Sequence, residues 1–146
     1  MNMKKCRDIM TEDVVCCTPD DTVFEAARLM KTEDIGPILI VDNQQSKTLV
    51  GIVTDRDLVL KVIAEGLDPQ TTQVGEVMSK KLVTCYADNE VEVAMKAMAR
   101  YQLRRVPVVE ENMKLVGIIS QADVATRVDA PEETAEVVKE ISQENA

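Results

Sequence analysis

Histidine and tryptophan are absent from the 146 residues, and Phe24, Tyr86 and Tyr101 are the only aromatic side chains. Without histidine the commonest general base near neutral pH is missing, and with it any Ser-His or Cys-His nucleophilic pair. Paired carboxylates or a lysine remain as catalytic groups, but the acids singled out below stand at equivalent points of a repeat. Equivalent acids suit two similar binding sites better than an acid and a base with different tasks, so an enzyme is not expected. A zinc ion would depend on Cys and carboxylate alone, which argues against a metal site, and Cys6, Cys16, Cys17 and Cys85 contain no C-x-x-C pair. The scarcity of rings removes stacking platforms, and a net charge of −9 removes the basic face that nucleic acid requires. No apolar run approaches the roughly 18 residues that cross a bilayer, and no apolar signal region follows the short basic start. The expectation is a cytoplasmic protein without nucleic-acid or membrane partners.

What is present is an ordinary globular composition, 45% apolar and 29% charged, long enough for one domain or two small ones. It is also repetitive. A shift of 68 residues aligns Met10, Val15, Cys17, Asp20, Val23, Ala26, Met30 and Val41 with Met78, Val83, Cys85, Asp88, Val91, Ala94, Met98 and Val109. The shift then falls to 66 because the turn after Asp42 is two residues longer than the turn after Glu110, and turns are where length changes are tolerated.

Each repeat reads as strand, helix, strand, strand, helix. In the first, residues 14–17 form a short apolar strand closed by the turn signal Thr18-Pro-Asp-Asp21. Thr22 and Glu25 have the spacing of a capping box, and Val23, Ala26, Ala27 and Met30 make a helical stripe to about residue 31. Strands at 38–41 and 49–53 follow, then a helix from Asp55 towards Gly66. The second repeat predicts strands at 82–85, 106–109 and 115–119, with helices at 91–100 and 121–128. The expected class is α/β (α+β): two β-α-β-β-α repeats at 6–66 and 76–129, a linker at 67–75 and an acidic tail at 130–146. About sixty residues are marginal alone, so the repeats are expected to pack as a pseudo-twofold module with a common cleft. In the tail, Val137, Val138 and Ile141 among glutamates suit either a short amphipathic helix or a frayed terminus.

The chemistry concentrates where the third strand hands over to the last helix. Gly51-Ile-Val-Thr-Asp-Arg-Asp57 is matched by Gly117-Ile-Ile-Ser-Gln-Ala-Asp123. A hydroxyl three residues before a carboxylate fits two readings. Thr54 or Ser120 caps the helix with the acid in its first turn, or the carboxylate accepts from two vicinal ribose hydroxyls. Arg104 and Arg105 open the second strand of repeat two, near Arg100 and Lys96, and guanidinium forks suit phosphate. A solvated face paired with acids is the alternative. Repeat one has Gly36 and Pro37 there, but carries Arg56 inside its turn where repeat two has Ala122. The two sites should therefore differ.

The repeated pattern, with Asp8-Ile-Met-Thr11 and Glu76-Val-Met-Ser79 leading into each copy, resembles a tandem pair of CBS domains, the regulatory modules first noticed in cystathionine β-synthase. The resemblance spans roughly residues 6–129. It implies a regulatory module that needs no cofactor, binds an adenosine-containing ligand (AMP, ADP or ATP, with S-adenosylmethionine or NAD in some members), acts on a partner protein and forms a homodimer. By the same resemblance Asp57, Asp123, Thr54 and Ser120 hold ribose. Arg104, Arg105 and Arg56 face phosphate, and Thr11, Val15, Ile35, Ser79, Val83 and Leu103 line the base. Pro107 matches the family's second strand, whereas repeat one has Leu39 there and Pro37 two residues earlier. The rival expectation is a ligand-free interaction module with degenerate clefts. A redox sensor is the third, against which Cys17 and Cys85 read as buried, reduced strand thiols.

Overall fold

Thr22 caps the first long helix, and its side chain accepts the Glu25 N–H at 3.1 Å, the threonine half of the capping box expected from Thr22 and Glu25, while Val23, Ala26 and Met30 turn inward. The structure, a computed structural model, describes residues 4–127. Along the chain run α1 (Cys6–Ile9), β1 (Cys16–Cys17), α2 (Val23–Glu33), β2 (Pro37–Val41), β3 (Leu49–Thr54) and α3 (Asp55–Leu58). After a π-helical turn at Val59–Ile63 come α4 (Val74–Val77), β4 (Cys85–Tyr86), α5 (Val91–Tyr101), β5 (Arg105–Glu110), a 3₁₀ turn at Glu111–Met113, β6 (Lys114–Ser120) and α6 (Gln121–Arg127). The expected tail at 130–146 lies outside the described residues.

The result is mixed α/β with two separate three-stranded sheets, ordered β1-β2-β3 and β4-β5-β6. In each, the first strand runs parallel to the second, as a helical crossover requires, and the second pairs antiparallel with the third. Even the irregularities repeat, with a bulge between Ile40 and Val41 in one sheet and between Val108 and Val109 in the other. The outer strands β1 and β4 are shorter than the sequence suggests, because only two residues of each find a partner on β2 or β5.

The chain forms two compact units whose membership does not follow the sequence repeats. The first unit is Val15–Leu82; the second joins residues 4–14 to residues 83–127. The segment ahead of repeat one thus packs on repeat two, and the segment ahead of repeat two packs on repeat one. In the second unit Cys6 and Arg7 donate backbone N–H bonds to Asn89 and Ala87, and Val91 donates to Lys4. In the first unit Val74 and Gly75 donate to Asp21 and Pro19, and Val23 donates to Thr72. The two sets correspond bond for bond. Apolar burial drives the docking: Cys6 and Ile9 enter the core of Cys85, Val91, Met98, Val106 and Ile119, while Val74 and Val77 enter that of Cys17, Val23, Ile38, Val53 and Val62. Ile9 is fully buried, which stabilises the docked segment by about 1.5–3 kcal/mol. The Arg7–Asp88 ion pair on the surface adds little by comparison.

Candidate functional site

The glycine that opens each motif is there for space. A Cβ on Gly117 would stand 2.6 Å from Met10 Sδ and 3.0 Å from the Thr11 carbonyl oxygen; one on Gly51 would meet Met78 Sδ and the Ser79 carbonyl at the same distances. A Cβ would force the methionine sulfur aside and press on the carbonyl more tightly than carbon side chains ordinarily do, so glycine gives the lead-in room to cross the strand. Across that gap Thr11 and Ile118 exchange N–H bonds at 2.9 Å, and Ser79 and Ile52 do so at 2.8 and 2.9 Å. Each motif therefore receives its hydroxyl-bearing lead-in from in front of the other repeat. The first unit contains Ser79, Thr54, Asp57, Arg56, Ile35 and Val15; the second contains Thr11, Ser120, Asp123, Arg104, Arg105, Leu103 and Val83.

Both readings of the hydroxyl–carboxylate pair are compatible with the geometry, because they use different oxygens. Asp57 Oδ2 accepts from the Thr54 N–H at 2.9 Å and from the Thr54 hydroxyl at 3.1 Å, and the Asp57 N–H returns a bond to that hydroxyl at 3.2 Å. Asp123 Oδ2 accepts the Ser120 N–H at 2.9 Å while its own N–H donates to Ser120 Oγ at 3.1 Å. These are reciprocal capping boxes at the start of α3 and α6. They hold each half-buried carboxylate rigidly by one oxygen. The remaining oxygens differ. Asp57 Oδ1 meets Lys61 Nζ at 3.3 Å, whereas Asp123 Oδ1 has no hydrogen-bond partner among the described residues. Lys61, which also donates to the Val77 carbonyl at 3.0 Å, was not singled out from sequence, although its position four residues after Asp57 on a helix is the signal that finds it.

The arginine pair falls on one side of this comparison. Arg105 stands opposite Ser120 in the β5–β6 ladder, and the Arg104 carbonyl accepts the Gln121 N–H at 3.0 Å, so both arginines share an edge with the Ser120–Asp123 box. No ion pair engages either side chain among the described residues. In the first unit Pro37 stands opposite Thr54, and the Gly36 carbonyl accepts the Asp55 N–H at 3.1 Å. That unit carries Arg56, exposed on α3, besides Lys61 at Asp57 and Lys80 and Lys81 directly after Ser79. Next to the arginines in sequence, Gln102 Oε1 and Gln121 Nε2 are buried with no hydrogen-bond partner among the described residues.

Other chemistry is sparse. Cys17 and Cys85 lie in the two cores, and burial pushes the Cys17 thiol up to about 12 from the ordinary 9.0, with Asp21 adding to the shift. Cys85 is raised mainly by its contact with the Cys6 thiol, and Cys6 is lowered by the same contact. Among the described residues no group of three or more His, Cys, Asp or Glu is placed to hold a metal, and no helix is long and apolar enough to cross a membrane.

Comparison with known proteins agrees with this arrangement. The family model of the CBS domain matches residues 6–64 and 74–130. Uncharacterized protein YlbB of Bacillus subtilis (strain 168) is 40% identical over 141 residues, covering 97% of this chain and 93% of that one. The crystal structure of Hypoxic Response Protein I, which has two coordinated zinc ions, superposes with a TM-score of 0.75 at 37% identity over 86% of this chain and 100% of that one. The CBS domain pair of protein MJ0100, solved in complex with 5-methylthioadenosine and S-adenosyl-L-methionine, gives a TM-score of 0.68 at 26% identity over 85% of this chain and 94% of that one.

Proposed function

Because the chain belongs to the CBS-domain family, with two copies filling most of its length, we propose that it is a non-enzymatic regulatory module that binds an adenine nucleotide and signals occupancy to a partner protein. The observation that carries this reading is the second unit's edge. There, a carboxylate fixed by one oxygen and open at the other shares a strand end with two arginines that have no ion pair among the described residues. Asp123 Oδ1 accepts from ribose hydroxyls, Ser120 keeps the carboxylate oriented, and Arg104 and Arg105 receive the phosphates of AMP, ADP or ATP. Thr11, Val83 and Leu103 line the base. In the first unit Asp57, Thr54, Ser79, Ile35 and Val15 form the corresponding site with Arg56 as its cation. The complex of MJ0100 with two adenosine derivatives supports ligands of this class. For regulation the nucleotide must bind one conformation of the module more tightly than another.

The proposal includes a cytoplasmic homodimer. Val59, Leu60 and Ile63 on the π-helical turn and Leu67 beyond it are exposed, Ile63 at 70%, and a cluster of apolar side chains left in water supports association with a second copy. Buried thiols outside any disulfide at Cys17 and Cys85 suit a reducing compartment.

One observation favours the rival reading of a ligand-free interaction module: both acids already serve as capping residues. A thermal-shift panel of AMP, ADP, ATP, NAD and S-adenosylmethionine decides between them. A nucleotide at a hundred times its Kd stabilises the fold by about 2.7 kcal/mol and raises Tm. No shift with any of the five leaves the interaction module.

A further inference from the structure

The two lead-ins dock alike but differ in one side chain. Cys6 in α1 stands where Val74 stands in α4: Cys6 donates its N–H to the Asn89 carbonyl and Val74 donates to that of Asp21, each at 2.8 Å. Both residues enter a core that holds the buried cysteine of the outer strand, Cys85 for the second unit and Cys17 for the first. The first unit's core therefore contains one thiol. The second unit's core contains two, Cys6 and Cys85, in side-chain contact.

The surroundings of that pair are apolar apart from backbone. Cys6 is fully buried and Cys85 nearly so, packed with Ala87, Val91, Met98 and Ile119. Cys6 Sγ lies 3.8 Å from the Glu90 carbonyl oxygen and Cys85 Sγ 3.9 Å from that of Pro107. Contact divides the two thiols in character. It holds Cys6 below the ordinary 9.0 in spite of burial, and it raises Cys85, so Cys6 is the nucleophile of the two and Cys85 keeps its proton. Cys17, which has valine at the place of Cys6, is pushed up to about 12, chiefly by burial.

We propose that Cys6 and Cys85 form a reversible disulfide that fastens the N-terminal lead-in to the second unit in response to peroxide. The same lead-in brings Thr11 across to Ile118, so the bond fixes the crossing strip as well as α1. Oxidant reaches Cys6 when the single turn of α1 lifts from the core. The Cys6 thiolate attacks one oxygen of hydrogen peroxide, the O–O bond breaks, and the departing hydroxide takes up the proton that Cys6 had shed, leaving a sulfenic acid. Once α1 redocks, the Cys85 sulfur displaces the sulfenic hydroxyl, which leaves as water with the Cys85 proton, and the S–S bond forms. Two thiols lose two electrons and one peroxide becomes two waters. A dithiol restores both thiols by exchange, so in a reducing compartment the bond is transient and reports oxidant. It forms whether or not a nucleotide is bound.

Peptide mapping of the full chain tests this: the protein is reduced with dithiothreitol, freed of it, treated with hydrogen peroxide and alkylated under denaturing conditions. The expected product is an intramolecular Cys6–Cys85 linkage with Cys16 and Cys17 alkylated, reversed by dithiothreitol. Its Tm is raised by several degrees, because the bond closes a loop of about 80 residues. Cys6→Val, which gives the second unit the residue that the first carries at that place, should show neither linkage nor shift; should that variant fail to fold, the map of the unsubstituted chain decides by itself. A linkage through Cys16 or Cys17 or between chains, a sulfinic acid at Cys6 without a bridge, two unmodified thiols, or a bridge that leaves Tm unchanged overturns the inference.

Discussion

The two units share a backbone and differ in what it carries. Sheet order, bulge, left-handed cap, crossing lead-in and hydroxyl–carboxylate box recur in both. These are the features that chain geometry demands: a larger residue at Gly51 or Gly117 displaces the lead-in, and loss of Thr54 or Ser120 uncaps a helix. The side chains that the fold does not need have diverged. Asp123 keeps one oxygen without a partner among the described residues, whereas Asp57 gives it to Lys61. The outer side of the last helix diverges too, since Val59 and Leu60 are matched by Ala125 and Thr126. The backbone diverges with them, because Val59–Ile63 is a π-helical turn whereas Ala125 and Thr126 lie within the α-helix Gln121–Arg127.

The association surface offers the largest contrast. Ile63→Glu removes apolar burial from both copies of a symmetric interface, about 1.5–3 kcal/mol per copy, so sedimentation equilibrium should find monomer where the unsubstituted chain is dimeric. Ala125→Glu on the other unit should leave the dimer intact. An unsubstituted chain that sediments as a monomer sinks the dimer proposal.

Exchange of the lead-ins gives the next effect. Ile9→Ala opens a cavity in the second unit's core and should cost about 2–5 kcal/mol. Hydrogen exchange should show the amides of β5 and β6 losing protection while those of β2 and β3 keep theirs, although residue 9 precedes repeat one in sequence. Loss of protection in β2 and β3 instead would mean that the lead-in serves its own repeat.

The ligand comparison is the smallest. Asp123→Ala should weaken AMP binding by about 10–100-fold, the loss of a charged hydrogen-bond acceptor, and Asp57→Ala should change it far less because its own unit lacks the arginine pair. Titration calorimetry that finds equal affinities in both variants, unchanged from the unsubstituted chain, removes the assignment of Asp123 to ribose.

Much of the fold was legible before any coordinates. The repeat, the two long helices and the paired strands β2–β3 and β5–β6 follow from periodicity and turn signals, since each is stabilised largely by neighbours close in sequence. The four-residue helices α1 and α4 were not legible, because one turn is too short to show a period. Strand β1 was drawn too long for the complementary reason: 14–17 is apolar throughout, but pairing with β2 ends at Cys16. Of the candidate site, the hydroxyls, acids and arginines were visible as residue types, while the division of each carboxylate's two oxygens between cap and opening was not.

Sequence by itself determined that this chain carries two copies of one α/β unit, each closing on a glycine, a hydroxyl and an acid, with an arginine cluster at 100–105 in the second. Which lead-in serves which motif was decided only by tertiary structure. Met10-Thr11 and Met78-Ser79 are near-identical strips, and either satisfies the local pattern at Gly51 or Gly117. The choice rests on burial of Cys6 and Ile9 in one core and of Val74 and Val77 in the other, and on hydrogen bonds between segments some 80 residues or more apart in the second unit and about 50 in the first, contacts that no pattern local to the chain records.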